Sequence, residues 1–171
     1  MKESYPKDWP QFYTATIQGW KHLFREDKYN DVIINSLKQL VQTKKVRINA
    51  FVIMQNHIHI IWQAMHGHHL DNIQTSFKKH TLKEFTKLLK EDKDIGPYEV
   101  TLTDRKHHFW KRNSLGVELF TELVLIQKLQ YIHRNPVKAD LCIYEEDYNY
   151  SSALFYVKGV DTFGIVEHYE N

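Results

Sequence analysis

Two short stretches hold residues whose types and spacing could do chemistry. The first is His57-Ile58-His59. On a strand, side chains two apart point to the same face, so both imidazoles can reach one divalent cation while Ile58 and Ile60 face a core. The second is Tyr131-Ile132-His133-Arg134-Asn135. Tyr131 and Asn135 are four apart and share one face of a helix end. Asparagine offers a neutral oxygen, a fair third ligand for Mg²⁺ or Mn²⁺ beside two imidazoles. A tyrosine hydroxyl is a poor nucleophile at its ordinary pKa near 10. It attacks phosphorus only when the phosphate is polarised and held in line. Each stretch alone is ordinary in a chain with eleven histidines and ten tyrosines. Together, His57, His59, Asn135 and Tyr131 form a set that phosphodiester cleavage needs and that mere binding does not. A zinc hydrolase built on the two histidines lacks a third histidine or carboxylate at short zinc spacing.

These residues must be positioned by regular elements. Phe12-Tyr13-Thr14-Ala15-Thr16-Ile17 alternates and reads as a first strand. From about Asn30 to Thr43, Val32, Ile33, Leu37, Leu40 and Val41 recur at helical spacing, with Asn30 or Asp31 as the cap. Residues 46–54 and 57–62 read as two antiparallel strands with a tight turn at Gln55-Asn56. A second helix is predicted over about Leu70 to Lys90, with Phe77, Thr81, Phe85 and Leu88 on one stripe and Lys79, Lys83, Lys87 and Lys90 on another. His108-Phe109-Trp110 and Val117–Phe120 flank a polar loop and are candidates for a fourth strand. A third helix runs from about Thr121 to Arg134 and should stop near Pro136, because the residue before proline disfavours helical geometry. The order β-α-β-β-α-β-α fits an α+β fold: an antiparallel sheet with helices packed on one face. Residues 1–171 read as one domain, with an irregular lead-in over 1–10 and a tyrosine-rich tail over about 142–171.

The stretches Met54-Gln55-Asn56-His57-Ile58-His59-Ile60-Ile61-Trp62 and Tyr131-Ile132-His133-Arg134-Asn135-Pro136-Val137-Lys138 resemble the two signature motifs of the single-tyrosine HUH transposases, and more narrowly the REP-associated tyrosine transposases. Phe77-Lys78-Lys79-His80-Thr81 and Tyr148-Asn149-Tyr150-Ser151-Ser152-Ala153 resemble that family's middle helix and tail motif. The similarity spans roughly residues 10 to 156. It implies a ferredoxin-like or RRM-like sheet, the HUH nuclease fold. It implies cleavage and rejoining of single-stranded DNA near hairpins through a 5′-phosphotyrosine. Position by position, His57 and His59 match the family's metal histidines, Asn135 its third ligand and Tyr131 its nucleophile. Gln55 stands where the family usually has proline, and Asp140 where it often has glycine. Classical members of the wider family dimerise and share the active site, whereas the REP-associated branch can act alone, so monomer and homodimer both stay open.

Length and composition agree with this reading without demanding it. The chain has 171 residues, 42% apolar, enough for one core. Net charge is +2 and pI about 8.5, which permits nucleic-acid binding. Cys142 is the single cysteine, so no intramolecular disulfide forms and a reducing, cytoplasmic setting is expected. The first seven residues lack the apolar segment of a signal peptide, and no apolar run approaches the ~18 residues of a membrane span. For DNA contact, the candidates are Lys79, Lys83 and Lys87 along one helix, the loop Trp110-Lys111-Arg112, and Arg134 beside the tyrosine. Trp62 and Phe109 are further candidate stacking platforms. The competing reading is a non-catalytic single-stranded nucleic-acid-binding module on the same fold.

Overall fold

The computed structural model describes residues 9–93 and 109–171. Four strands form one antiparallel sheet: β1 (Gln11–Thr16), β2 (Val46–Ile53), β3 (His57–Ala64) and β4 (Leu115–Glu118). Their spatial order is β2-β3-β1-β4. The β2–β3 hairpin turns through Gln55-Asn56, closed by the Met54 N–H donating to the His57 carbonyl (2.8 Å). The expected fourth strand divides in two. Leu115–Glu118 pairs with β1 along the exposed edge, and Trp110 makes an isolated bridge to Ile17.

Strand alternation separates two cores. Tyr13, Ala15, Ile17, Ile58, Ile60 and Trp62 face one side, where α1 (Asp27–Gln42) and α2 (Leu70–Glu91) cover them. Phe12, Val52 and Ile61 face the other side, against Leu125, Leu129 and Ile132 of α3 (Glu122–Lys138). The α+β antiparallel sheet is as expected, but helices cover both of its faces rather than one. The physical reason is that β2 and β3 are apolar on both faces. Ile61 and Val52 are as buried as Ile60 and Ile53, and a one-sided layer would leave them wet.

Helix α1 begins three residues before the expected cap. Asn30 lies inside it, buried, its Nδ2 donating to the Phe24 carbonyl (3.1 Å). Helix α3 is capped by Thr121, whose hydroxyl accepts from the Val124 N–H (3.3 Å). It does not stop before Pro136. The proline ring lies within the last turn and is itself buried, and the helix runs to Lys138. Only one intrahelical donor is lost there, and the buried Leu129–Ile132–Pro136 face offsets it. The chain leaves the helix at Asp140, which takes a left-handed φ of 56°.

The tyrosine-rich C-terminal stretch is not a loose tail. Ser151 bridges Val52, α4 (Ala153–Lys158) follows, and Val166 then bridges Ile48. Tyr148 and Tyr156 donate their hydroxyls to the carbonyls of Ile53 (2.8 Å) and Asn49 (2.9 Å). This segment satisfies the outer edge of β2, which would otherwise present open backbone groups. Among the described residues, no helix is long and apolar enough to cross a membrane.

Candidate active site

His57 and His59 stand on the α3 face of β3, with their ring centroids 4.8 Å apart. Tyr131 projects from α3 onto the same spot, its ring centroid 5.4 Å from that of His59. The strand period of two and the helix docking over Phe12, Val52 and Ile61 bring the two sequence stretches together. Asn135 is one helical turn beyond Tyr131 and half-buried. Phe12 stacks on His59 (5.2 Å) and meets Tyr131 edge-on (5.9 Å), walling the site on its β1 side.

Both imidazoles are held by Nδ1. His59 Nδ1 lies 2.7 Å from Thr14 Oγ1 on the neighbouring strand, in register with it. His57 Nδ1 lies 2.7 Å from Asn56 Oδ1. The Asn56 amide nitrogen donates to the Trp20 carbonyl (3.3 Å), which can only accept. That contact sets the amide with its oxygen toward His57, so His57 carries its proton on Nδ1 and keeps the Nε2 lone pair. In His59, Nε2 is buried and has no hydrogen-bond partner among the described residues. Burial pushes the His59 pKa down to about 3, and the neighbouring His57 and the Lys128 ammonium push the same way. Burial lowers His57 as well. Both rings are therefore neutral near pH 7, the form a metal ligand takes.

An orphaned Nε2 beside a second imidazole, each ring fixed through Nδ1, fits a divalent cation. No group of three His, Cys, Asp or Glu that could hold a metal gathers among the described residues. A third ligand would have to be of another type, and Asn135, one helical turn beyond Tyr131, carries a neutral oxygen suited to Mg²⁺ or Mn²⁺.

Three groups around the tyrosine and histidines escape a motif-based reading. Lys128, three residues before Tyr131, places its ammonium 4.8 Å from the Phe12 ring centroid and 5.6 Å from that of Tyr131. Lys138, seven residues after, stands 5.8 Å from the Tyr131 ring. Helical spacing from Tyr131 could have found both. Thr14 could not have been found, because its pairing with His59 is a fact of strand register.

The structural comparison places this architecture. A solved structure of the REP-associated tyrosine transposase bound to a REP hairpin superimposes with a TM-score of 0.67 at 17% identity, over 95% of this chain and 88% of that one. The chain shares its fold with the REP-associated tyrosine transposase. A Deinococcus radiodurans R1 protein assigned to the transposases superimposes with a TM-score of 0.52 at 12% identity, over 77% of this chain and 94% of that one. No protein-family profile and no curated protein matches the sequence.

On this fold the other candidate residues fall as follows. Lys79, Lys83 and Lys87 are exposed on α2, on the opposite side of the sheet from Tyr131. Trp110 is a core residue, 2% exposed, with its indole N–H donating to Thr81 Oγ1 (2.9 Å). Trp62 and Phe109 are likewise buried. None of these three rings offers a face to a base, because large aromatics on a two-sided sheet are claimed by the core. Lys111 and Arg112, directly after Trp110, are exposed, and so is Arg134. His108, at the start of the expected fourth strand, lies outside the described residues. Among the tail tyrosines, Tyr148 and Tyr150 are both pushed up to about 12 by burial. Tyr131, by contrast, is 42% exposed at the histidine pair.

Proposed function

We propose that this chain is a metal-dependent transposase or endonuclease of single-stranded DNA, acting through a phosphotyrosine at Tyr131. The observation that carries the reading is the approach of the Tyr131 ring to His59, whose Nδ1 is tied to Thr14 and whose buried Nε2 is unpartnered. His57, His59 and Asn135 would hold Mg²⁺ or Mn²⁺, which when bound supplies positive charge to polarise the scissile phosphate.

The chain's own groups account for the remaining requirements. Tyr131, 42% exposed beside the histidine pair, supplies the hydroxyl. Its oxygen forms the bond to phosphorus as the bond from phosphorus to the 3′-oxygen breaks. The phenolic proton passes to solvent, and the leaving oxygen takes one up as a 3′-hydroxyl. Because the phosphodiester energy is kept in the tyrosine ester, a 3′-hydroxyl can reverse the step and rejoin ends. Lys128 and Lys138 flank the ring and place positive charge where an anionic backbone must approach. Phe12, packed on both reacting partners, keeps water from one side. A DNA hairpin is the natural substrate class, since the structurally similar transposase is bound to one.

The test is direct. Labelled single-stranded hairpin DNA is incubated with the protein and Mn²⁺ and run on a denaturing gel. A covalent protein–DNA band is expected, and it should vanish with chelator or in Tyr131→Phe. Binding without a band at any divalent metal would make the chain a binding module rather than a nuclease.

A further inference from the structure

Trp20 is the largest exposed aromatic of the described residues, at 58%, and its backbone is left-handed, with φ 57°. A bulky side chain in that conformation is strained and persists only where its surroundings enforce it. Here the enforcement is visible. The Trp20 N–H donates to the Ile17 carbonyl (3.0 Å), and the Trp20 carbonyl accepts from Asn56 Nδ2 (3.3 Å). The strain holds an indole in solvent, where it gains no packing against the core.

What the indole does meet is positive charge. The Lys111 ammonium lies 5.0 Å from its ring centroid. Lys111 and Arg112 line a recess of about 210 Å³ against Lys78 and Lys79 of α2, and no carboxylate is among its described lining residues. Lys78 donates to Ser114 Oγ (2.7 Å) and is partly desolvated, which lowers its pKa. A half-buried cation with no counter-ion among the described residues favours an incoming anion.

The patch adjoins the histidine pair. The Lys111 N–H donates to the Thr16 carbonyl (2.7 Å), and Thr16 pairs on its other side with His57. Asn56 joins the two directly, with its amide nitrogen on Trp20 and its amide oxygen on His57. A polynucleotide has both halves of the required chemistry: phosphates for the recess and a flat π-face for the indole. A lone exposed ring takes a base only when that base is unstacked, which selects a single strand.

We propose that Trp20 is the stacking platform for one base of a single-stranded nucleic acid whose backbone phosphates are held by Lys78, Lys79, Lys111 and Arg112. The proposal deepens the nuclease reading and rests on it: the strand passes from the Tyr131 side, round the end of the sheet at Trp20, to the α2 side where Lys78 and Lys79 stand.

Binding is measured by fluorescence anisotropy with a labelled oligothymidine of about 15 nucleotides. The protein carries Tyr131→Phe to prevent turnover. Trp20→Ala should raise Kd about tenfold without changing the slope of log Kd against log salt, while Trp20→Phe stays within about threefold. Lys111→Ala and Arg112→Ala should each flatten that slope by roughly 0.7. A blunt duplex should be indifferent to Trp20→Ala. Circular dichroism checks folding. If alanine unsettles the turn, Trp20→Gly, free of the φ penalty, replaces it. Unchanged oligothymidine affinity in Trp20→Ala, or unchanged slopes in both cationic variants, overturns the proposal. If Trp20 governs binding but wild type forms no covalent adduct, the nuclease reading fails and the platform stands. If the adduct forms and Trp20→Ala binds like the parent, the platform fails and the nuclease reading stands.

Discussion

At the residue scale, the site depends on single atoms. Tyr131→Phe deletes one oxygen from a ring that keeps its contacts with His59 and Phe12, so stability should change by less than about 0.5 kcal/mol. Covalent adduct on a denaturing gel should nevertheless disappear, with DNA affinity retained. His59→Ala should also abolish the adduct, by removing a ligand, and excess Mn²⁺ should recover part of it. The same excess should recover nothing in Tyr131→Phe. A finer test concerns Thr14, which touches neither DNA nor metal in this reading. Thr14→Val removes the Oγ1 that holds His59 Nδ1 at 2.7 Å and keeps the strand's shape. Mn²⁺ affinity by calorimetry should fall by about 10–100-fold, as expected when the outer partner of a ligating histidine is lost. An unaltered affinity would show that Thr14 does not set the ring.

At the scale of elements, α3 decides whether Tyr131 meets the histidines. Its buried stripe of Leu125, Leu129, Ile132 and Pro136 sets the rotation that brings Tyr131 over β3. Pro136 within the last turn and Asp140 just beyond it govern how the helix ends. Asp140 has φ 56°, a conformation glycine adopts without a Cβ clash. Asp140→Gly should therefore stabilise the protein by about 0.5 kcal/mol, the relief of strain outweighing glycine's extra chain entropy. Urea titration at neutral pH measures this, and a lower midpoint would show that the aspartate side chain supports the turn.

At the scale of the whole molecule, α3 is clamped between the sheet and the C-terminal segment. His133 points away from the Tyr131 side, buried, with Nε2 2.9 Å from Ser152 Oγ. Ser152 in turn bonds the β2 backbone at Phe51. Burial lowers the His133 pKa to about 4. The unfolded chain takes up this proton near pH 6.5 and the folded chain does not, so the unfolded state binds more protons between these values. The stabilising contribution is complete above pH 6.5 and is lost as pH falls toward 4, at up to about 1.4 kcal/mol per pH unit. His133→Asn should flatten the acid limb of stability against pH by that amount, measured by denaturant unfolding between pH 7 and 4.5. An identical slope in the variant would place the titration elsewhere.

Much of this was legible from residue order. Hydrophobic period alone marked β1, β2, β3 and the three long helices, because alternation and the 3.6 repeat are local consequences of burying one face. The pairing of His57 with His59 follows from the strand period, and that of Tyr131 with Asn135 from the helix period. Three things needed the tertiary structure. The first is that α3 lies on the opposite face of the sheet from α1 and α2, since strands apolar on both sides do not say which helix covers which face. The second is that Trp62, Phe109 and Trp110 are core while Trp20 is exposed, since an aromatic's type does not reveal its surroundings. The third is that Thr14 and Asn56 orient the histidines, since strand register and the docking of the Trp20 turn are long-range pairings. Sequence by itself determined that His57 shares a strand face with His59 and that Tyr131 shares a helix face with Asn135, because spacing within one strand and one helix is local geometry. Only the packing of that helix onto that strand decided that the tyrosine and the histidines meet, because contact between segments more than seventy residues apart is made by the core between them.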